Sequence, residues 1–186
     1  IERFRELKLR MLNGTHTLSC GLAFLAGFNT VKEAMQDDVM SNFIQHIMLA
    51  EIARGIPYPM PMEDIQHFGN QVLDRFRNPF LEHKWLSITL QYTSKMKMRN
   101  VPTLVHFIKN QGMVPNYMAL GFAAYLLFMK AVKIEHHVYH GLVNGNFYPI
   151  QDPQAAFFYN LWQECTPTQL VKQVLENQAL WETDLT

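Results

Sequence analysis

The sequence predicts an all-α domain, and three observations support that prediction. Apolar residues recur with a helical period of about 3.6 residues through nearly the whole chain. Helix start and stop signals separate these periodic stretches. No run of alternating polarity is long enough to argue for a sheet. Because the chain has 186 residues, no internal repeat and no low-complexity tract, it is expected to form one domain, residues 1–186, with its own core.

In the N-terminal half, each expected helix is bounded by a recognisable signal. The expected helices cover residues 2–25, 30–37, 41–54 and 63–77. Thr30 and Glu33 form a capping-box pattern at the start of the second helix. Gly55 and the prolines after it end the third helix. Asn78-Pro79 ends the fourth, because proline disfavours a helical conformation at the residue before it.

The C-terminal half continues the helical pattern around a strongly apolar centre. Its expected helices cover residues 81–91, 102–110, 117–136, 153–164 and 168–181, the last capped by Thr166-Pro167. The longest uninterrupted apolar run has thirteen residues, from Tyr117 to Met129. A membrane span needs about 20 such residues, so this run predicts a buried core helix. Asn144-Gly145-Asn146 and Pro149 predict a loop.

Composition and charge exclude several classes of function. Sixteen basic residues balance sixteen acidic ones, so no global field would attract nucleic acid or an anionic membrane. Cys20 and Cys165 are too few for a disulfide framework and are expected as small buried hydrophobes in a reducing cytoplasm. No signal peptide is visible. Ile1 lies inside a charged, helix-forming stretch without an initiator methionine, so the chain is expected to be a fragment.

Three polar residues of the first expected helix, Lys8, Asn13 and His16, are the candidate catalytic residues. On a continuous helix they fall at roughly 0°, 140° and 80° and span about 12 Å along the axis. Such spacing could place an amine, an amide and an imidazole around one small polyhydroxy ligand. The alternative is structural: a solvated lysine, an asparagine in a turn and a packed histidine. Gly14 costs about 1 kcal/mol within a helix, which close approach of a ligand or a second domain would explain.

The stretch KLRMLNGTHTLSCGLAFLAGFNTVKEAMQD resembles the start of the C-terminal domain of the mannitol dehydrogenase family of polyol and uronate oxidoreductases. The family pattern K-x-x-x-x-N-x-x-H is matched by Lys8, Asn13 and His16, and RFRNPF (75–80) is similar to the family's R-F-x-N-P segment. The resemblance covers essentially the whole chain. It implies a multi-helical fold like that of the 6-phosphogluconate dehydrogenase C-terminal domain, with NAD as cofactor and no metal.

By this resemblance, Lys8 would be the general acid/base that exchanges a proton with the substrate oxygen. Asn13 would donate a hydrogen bond to the developing oxyanion, and His16 would orient the reacting carbonyl or a neighbouring hydroxyl. A lysine can act in this way only if burial or a cationic neighbour lowers its pKa. Arg5 and Arg10 are the candidate neighbours in the sequence.

The chain departs from the family's polyol dehydrogenases in one segment. Those enzymes carry a sequence resembling R-I-A-x-D-G-S-x-K, and the corresponding stretch here is SITLQYTSK, which keeps Lys95 but has Ser87 in place of the arginine. Lys97 and Arg99 follow Lys95 at alternating positions. The expected substrate-binding residues are therefore Lys95, Ser87, Lys97 and Arg99, and one of the cations is expected to meet a substrate carboxylate. That favours a sugar acid over a neutral sugar alcohol; a solvated loop is the alternative interpretation.

Two further signals bear on metal and cofactor. His136 and His140 have the i, i+4 spacing that can hold zinc, and His137 lies between them, but the sequence has neither an HExxH pattern nor a cysteine pair. These histidines are expected near the end of the core helix, where its dipole favours them, and no metal site is expected. No G-x-G-x-x-G follows a strand, so a dinucleotide-binding domain N-terminal to this chain is expected to hold most of the NAD.

The expected partners are therefore a small sugar acid and that dinucleotide-binding domain, without which the chain is expected to be inactive. Within the family, the substrate stays open between different hexuronates and a neutral polyol. A second class of function also stays open: a helical binding or oligomerisation module without chemistry. That alternative predicts Lys8, Asn13 and His16 on separate surfaces.

Overall fold

A computed structural model describes residues 2–186 as a mostly helical body with one small sheet, which confirms the predicted fold class. The α-helices are α1 (Glu2–Leu7), α2 (Thr15–Leu25), α3 (Val31–Gln36), α4 (Asp38–His46), α5 (Ala53–Gly55), α6 (Met62–Phe76), α7 (Trp85–Ile88), α8 (Tyr92–Lys95), α9 (Val101–Gln111), α10 (Asn116–Phe128), α11 (Ala155–Glu164), α12 (Pro167–Leu175) and α13 (Gln178–Trp181). The strands are β1 (Lys133–Glu135), β2 (Val138–Val143) and β3 (Asn146–Ile150).

Three stretches of π-helix join neighbouring α-helices into longer rods. The first π segment is Lys8–Gly14, the second is Ile47–Ile52 and the third is Met96–Asn100. The first helix therefore runs from residue 2 to residue 25 as predicted, but through an α–π–α sequence. Because π-helical hydrogen bonds join residues five apart, the angular positions calculated above for a pure α-helix do not hold across the first π segment.

The core is centred on α2 and α10, and the predicted core helix is confirmed over Asn116–Phe128. Gly21 and Gly121 allow the backbones of these helices to approach closely. A Cβ atom at Gly121 would lie 2.7 Å from the carbonyl oxygen of Leu18. A Cβ atom at Gly21 would lie 3.2 Å from the carbonyl oxygen of Ala124. Side chains larger than hydrogen at either glycine would push the central pair of helices apart.

Both predicted helix caps are present. Thr30 and Glu33 form a reciprocal capping box at the start of α3. Thr166 forms a second one with Gln169 at the start of α12. The last predicted helix is divided in two, since Asn177 caps α13 separately.

The expectation that no segment forms a sheet is wrong for residues 133–150. There β1, β2 and β3 form an antiparallel sheet in chain order, and the helix predicted to reach residue 136 ends at Phe128. The predicted loop at Asn144-Gly145 is the turn between β2 and β3, with φ values of 49° and 79°. Asn-Gly is the dipeptide that favours such a hairpin turn. The strands are short and most of their side chains are exposed or only partly buried, so they lack the clear hydrophobic alternation that predicts strands.

The three clustered histidines consequently do not lie at a helix end. His136 and His137 form the turn between β1 and β2 with positive φ values, and His140 lies on β2. Among residues 2–186, no group of three or more histidine, cysteine or acidic side chains is arranged to hold a metal ion. Over the same residues, no helix combines the length and the apolar character that crossing a membrane requires.

Glu51 should stabilise the fold by capping the central helix. This buried residue of the second π segment accepts hydrogen bonds from the backbone N–H groups of Tyr117 (3.0 Å) and Met118 (2.7 Å) at the start of α10. We expect Glu51→Gln to lower the free energy of unfolding by about 2 kcal/mol, because an amide NH₂ then faces a backbone donor. Urea unfolding of the full-length gene product measures this change.

The matched control for that prediction is Glu176→Gln. Glu176 is exposed and its pair with Lys172, at 3.7 Å, lies on the surface. Its loss should cost less than about 1 kcal/mol. Equal effects of the two substitutions would contradict the capping role of Glu51.

Candidate functional site

A cleft of about 470 Å³ lies between the first helix, the end of α6 and the segment from residue 81 to residue 99. Its polar and charged lining residues are Asn13, His16, Arg75, Glu82, His83, Lys84, Ser87, Lys95 and Arg99. Its apolar lining residues are Leu12, Val31, Phe76, Leu81 and Ile88. Two of the three predicted catalytic residues and three of the four predicted substrate-binding residues therefore line one cleft.

Hydrogen bonds between the first and third π segments join the two sides of this cleft. Buried Arg10 donates from Nη1 to the carbonyl oxygens of Met98 (2.8 Å) and Arg99 (2.9 Å). In the opposite direction, Nδ2 of buried Asn100 donates to the carbonyl oxygen of Gly14 at 3.0 Å. A Cβ atom at Gly14 would lie 3.2 Å from that nitrogen. The close approach at Gly14 is thus made by the chain itself, and the expected ligand or second domain is not needed to explain this glycine.

His16 is held in the cleft by aromatic neighbours. Its ring stacks on Phe76 with centroids 4.2 Å apart, and Trp85 meets it edge-on at 6.1 Å. Burial, followed by the nearby charges of His83 and Arg99, lowers the pKa of His16 from 6.5 to about 3. His16 is therefore a neutral imidazole at neutral pH. Such a ring can both donate and accept a hydrogen bond, and within residues 2–186 its buried Nε2 has no partner.

Asn13 presents an uncommitted amide to the cleft. Its backbone carbonyl accepts a hydrogen bond from Oγ1 of Thr17 at 2.8 Å. Its side-chain amide makes no hydrogen bond to any residue that the structure describes. The amide N–H groups are therefore available to a ligand oxygen, as an oxyanion donor requires.

Lys8 is exposed and lies outside the lining of the cleft. Within residues 2–186 its ammonium has no hydrogen bond and no ion pair. The two cations nearest to it in the sequence are neutralised, since Arg5 pairs with Glu2 at 3.2 Å and Arg10 pairs with Glu6 at 3.1 Å. The structure thus brings Asn13 and His16 together and leaves Lys8 on the adjoining surface.

Lys95 and Arg99 supply positive charge to the cleft. Nζ of Lys95 donates to the carbonyl oxygen of Ile88 at 2.9 Å, and Nη1 of Arg99 donates to Oγ1 of Thr17 at 3.0 Å. Burial and then the charge of Arg99 lower the pKa of Lys95, and burial lowers the pKa of Arg99. Neither side chain forms an ion pair with an acidic residue in the described part of the chain.

Lys97 does not share this position, unlike the other three residues predicted to bind substrate. Its ammonium lies 2.7 Å from the carboxylate of Glu182, and it is absent from the cleft lining. The reason is the local backbone. Residues 92–100 are helical rather than a solvated loop, and helical residues two apart point in different directions. Ser87 does line the cleft, as an exposed residue of α7.

Sequence reasoning missed four polar or charged cleft residues: Arg75, Glu82, His83 and Lys84. Arg75 belongs to the RFRNPF segment, which indicated the family but did not predict a role for this arginine. His83 and Lys84 immediately precede Trp85, and nothing in their spacing predicts a site. Their position depends on the chain path after α6, where an isolated bridge pairs Thr30 with Lys84.

Asp152 fixes the start of α8, and hence the backbone that carries Lys95. Its carboxylate accepts hydrogen bonds from the backbone N–H (2.7 Å) and Oγ1 (2.9 Å) of Thr93, and from the backbone N–H of Gln154 (2.8 Å). The Thr93 hydroxyl also contacts the buried Tyr125 hydroxyl at 2.8 Å. One wall of the cleft is therefore anchored to the end of the small sheet and to the core.

Known proteins resemble this chain along its whole length. The sequence profile of the mannitol dehydrogenase C-terminal domain matches residues 1–186. Altronate oxidoreductase of Enterobacter sp. (strain 638) is 34% identical over 193 residues, and altronate oxidoreductase of Halalkalibacterium halodurans is 31% identical over 192 residues. Both alignments cover 100% of this chain. The chain spans 38% and 37% of the lengths of these two relatives.

Two solved structures share the fold. A ternary complex of Pseudomonas fluorescens mannitol 2-dehydrogenase with NAD and D-mannitol superposes with a TM-score of 0.77 at 26% identity, over 96% of this chain and 34% of that one. D-sorbitol dehydrogenase in substrate-free form superposes with a TM-score of 0.64 at 17% identity, over 95% and 39% of the two chains. The profile match and the named relatives place this helical domain in a family of oxidoreductases. This chain belongs to the mannitol dehydrogenase C-terminal domain family.

The low pKa of His16 should make the stability of the fold depend on pH. Between about pH 6.5 and about pH 3, the unfolded chain takes up a proton at this residue and the folded chain does not. The free energy of unfolding should therefore fall as the pH is lowered through this range. We expect His16→Gln to weaken that dependence, measured by urea unfolding of the full-length gene product at about pH 7.5 and about pH 5.

His137→Gln is the matched control, since His137 is exposed in the turn of the hairpin. Its pH dependence should stay closer to that of the parent protein than the dependence of His16→Gln does. If His16→Gln and the parent protein lose stability in parallel as the pH is lowered, the buried neutral histidine is ruled out.

Proposed function

We propose that this chain is the substrate-binding and catalytic domain of an NAD-dependent hexuronate oxidoreductase that interconverts D-tagaturonate and D-altronate. The observation that carries the proposal is the lining of the cleft. Uncommitted polar groups of Asn13 and His16 lie beside cations that have no acidic partner in residues 2–186. Hydroxyl and carbonyl oxygens of a sugar suit the first set, and a carboxylate suits the second. Two further observations support this choice of sugar acid. The segments NGTHT, SCGLAFLAGF and EHKWLSITL resemble tagaturonate reductase, and the relatives are named altronate oxidoreductase.

Residues 2–186 show no strand–turn–helix unit of the kind that binds a dinucleotide. The strands of residues 133–150 are short and antiparallel, and no glycine-rich turn leads from one of them into a helix, as dinucleotide binding requires. We therefore assign most NAD contacts to a separate dinucleotide-binding domain. The bound nicotinamide would supply or accept the hydride. On this proposal the isolated chain is inactive, and the intact enzyme works in the cytoplasm.

In the direction of reduction, the carbonyl oxygen of the sugar acid gains negative charge as its carbon receives the hydride. The amide of Asn13 donates a hydrogen bond to this oxygen, which stabilises the charge. The neutral imidazole of His16 holds the carbonyl or the adjacent hydroxyl in place. Lys8 then gives the oxygen a proton, and in oxidation it takes that proton back. No step of this scheme requires a metal ion.

Lys8 keeps this role in the proposal for two reasons. It belongs to the same π segment as Asn13, and its ammonium makes no contact with an acidic group of residues 2–186. A second domain that packs over the exposed face around Lys8 would remove water from it. Partial desolvation is what a lysine needs to exchange protons at neutral pH.

Two other substrates are candidates within the family. The superposition on mannitol 2-dehydrogenase favours a polyol or fructose, and a different hexuronate, D-fructuronate, has the same chemical groups as tagaturonate. Against the polyol stands Ser87, which occupies the position of the arginine in the polyol dehydrogenase pattern. A non-catalytic helical module is less compatible with the gathering of Asn13, His16, Lys95 and Arg99 in one cleft.

Substrate identity is tested by NADH oxidation with the full-length gene product. We expect the highest kcat/KM with D-tagaturonate, a lower value with D-fructuronate and the lowest with D-fructose. The same assay with NADPH compares the two nicotinamide cofactors. A preference for fructose over both uronates would overturn the sugar-acid proposal.

The acid/base role of Lys8 is tested by Lys8→Met in the same protein. Loss of a general acid/base should lower kcat by about 10²- to 10⁴-fold. Lys109→Met is the control, because Lys109 is an exposed lysine of α9 outside the cleft. If kcat of the two variants is the same, Lys8 does not transfer the proton.

A further inference from the structure

We propose that Arg99 binds the carboxylate of the substrate and is the residue that selects a sugar acid over a neutral sugar. This inference rests on the proposed function and goes beyond it, since it assigns the anionic contact to one of several cations in and around the cleft. Four observations support it. Arg99 has no counterion, its guanidinium has unused donors, its backbone is rigidly attached, and the other cations near the cleft are less suited to bind a carboxylate.

Arg99 has no counterion, unlike its basic neighbours Arg10 and Lys97. Arg10 pairs with Glu6 at 3.1 Å, and Lys97 pairs with Glu182 at 2.7 Å. Arg99 is partly buried and forms no ion pair within residues 2–186. Desolvating a guanidinium without a counterion costs free energy. An anionic ligand in the cleft would offset that cost.

The guanidinium of Arg99 has unused donors. A guanidinium carries five N–H groups, and this one makes a single hydrogen bond to the described part of the chain, from Nη1 to Oγ1 of Thr17 at 3.0 Å. Nε is buried and has no partner there. The terminal N–H groups that remain can form the paired hydrogen bonds by which arginine recognises a carboxylate.

The position of Arg99 is fixed relative to the candidate catalytic residues. Its backbone carbonyl accepts hydrogen bonds from Arg10 (2.9 Å) and from Oγ1 of Thr103 (3.3 Å). Its side chain is held by Thr17, whose hydroxyl in turn donates to the carbonyl of Asn13 at 2.8 Å. A carboxylate bound to Arg99 would therefore lie at a defined distance from the Asn13 amide. This arrangement would orient the other end of the same molecule.

The competing cations are less suited to the task. Lys97 lies outside the cleft and is neutralised by Glu182. Lys95 spends one donor on the carbonyl of Ile88 at 2.9 Å and has a compact ammonium without a planar pair of donors. Arg75 is exposed and makes no hydrogen bond to the described residues, so nothing holds it in one conformation. Lys95 and Arg75 add attraction for an anion, and Arg99 supplies the directed contact.

The test compares Arg99→Gln with Lys97→Gln in the full-length gene product. Both substitutions remove one positive charge from the third π segment, but only Arg99 lines the cleft. We expect Arg99→Gln to raise KM for D-tagaturonate by roughly 10- to 100-fold and to leave KM for D-fructose within about twofold. Lys97→Gln should leave both values within about twofold. Arg99→Lys should recover part of the loss, since it restores charge but not the paired donors.

Binding of D-altronate, measured by titration calorimetry without cofactor, separates this inference from the proposed function. One outcome is that the parent protein binds D-altronate, that Arg99→Gln abolishes this binding, and that neither protein oxidises NADH. In that case the carboxylate site stands and the proposed reaction fails. If tagaturonate is reduced but Arg99→Gln and Lys97→Gln have the same KM, the reaction stands and Arg99 is not the carboxylate ligand. Absence of both turnover and binding in the parent protein overturns both.

Discussion

The cleft depends on reciprocal hydrogen bonds between the first and third π segments. Buried Arg10 donates to the carbonyls of Met98 and Arg99, and buried Asn100 donates to the carbonyl of Gly14. π-Helical turns depart from the α-helical ladder, and buried backbone carbonyls need partners wherever they occur. Here side chains from the opposite segment supply those partners. The helix that contains the first π segment carries the amide and imidazole of the cleft. The helix that contains the third π segment carries its two partly buried cations.

The electrostatics of the cleft are local and are not visible in the net charge of the chain. Sixteen basic and sixteen acidic residues balance overall, yet the cations that line the cleft have no acidic partner within residues 2–186. The acidic lining residue, Glu82, pairs with Lys32 at 3.2 Å. Burial is the main cause of the low pKa of His16, and the neighbouring cations lower it further. This local excess of positive charge is the basis on which we propose an anionic ligand.

The small sheet, although remote in sequence from the predicted catalytic residues, supports one wall of the cleft. The backbone carbonyl of Gln151, just after β3, accepts a hydrogen bond from the N–H of Gln91 at 2.9 Å. Gln91 has a positive φ of 52° and is the residue immediately before α8. Asp152 then binds the first turn of that helix through Thr93. The end of the hairpin thereby sets the start of the helix that carries Lys95. The small sheet therefore has a structural role in the site.

Local patterns in the sequence determined the helical fold class, the Thr30 and Thr166 caps and the core helix, because each depends on residues within a few turns of one another. The choice of Asn13 and His16 came from resemblance to the family, since helical spacing alone left a structural role open for both. Only the tertiary structure decided which basic residue near α8 faces the cleft. Lys97 is paired with Glu182, a residue 85 positions away in the sequence that no local spacing connects to it. The same holds for Gly14, whose neighbour is Asn100, and for Arg75, which joins the cleft through the path of the chain. Periodicity reports which residues share a helix face, whereas long-range partners decide what that face meets.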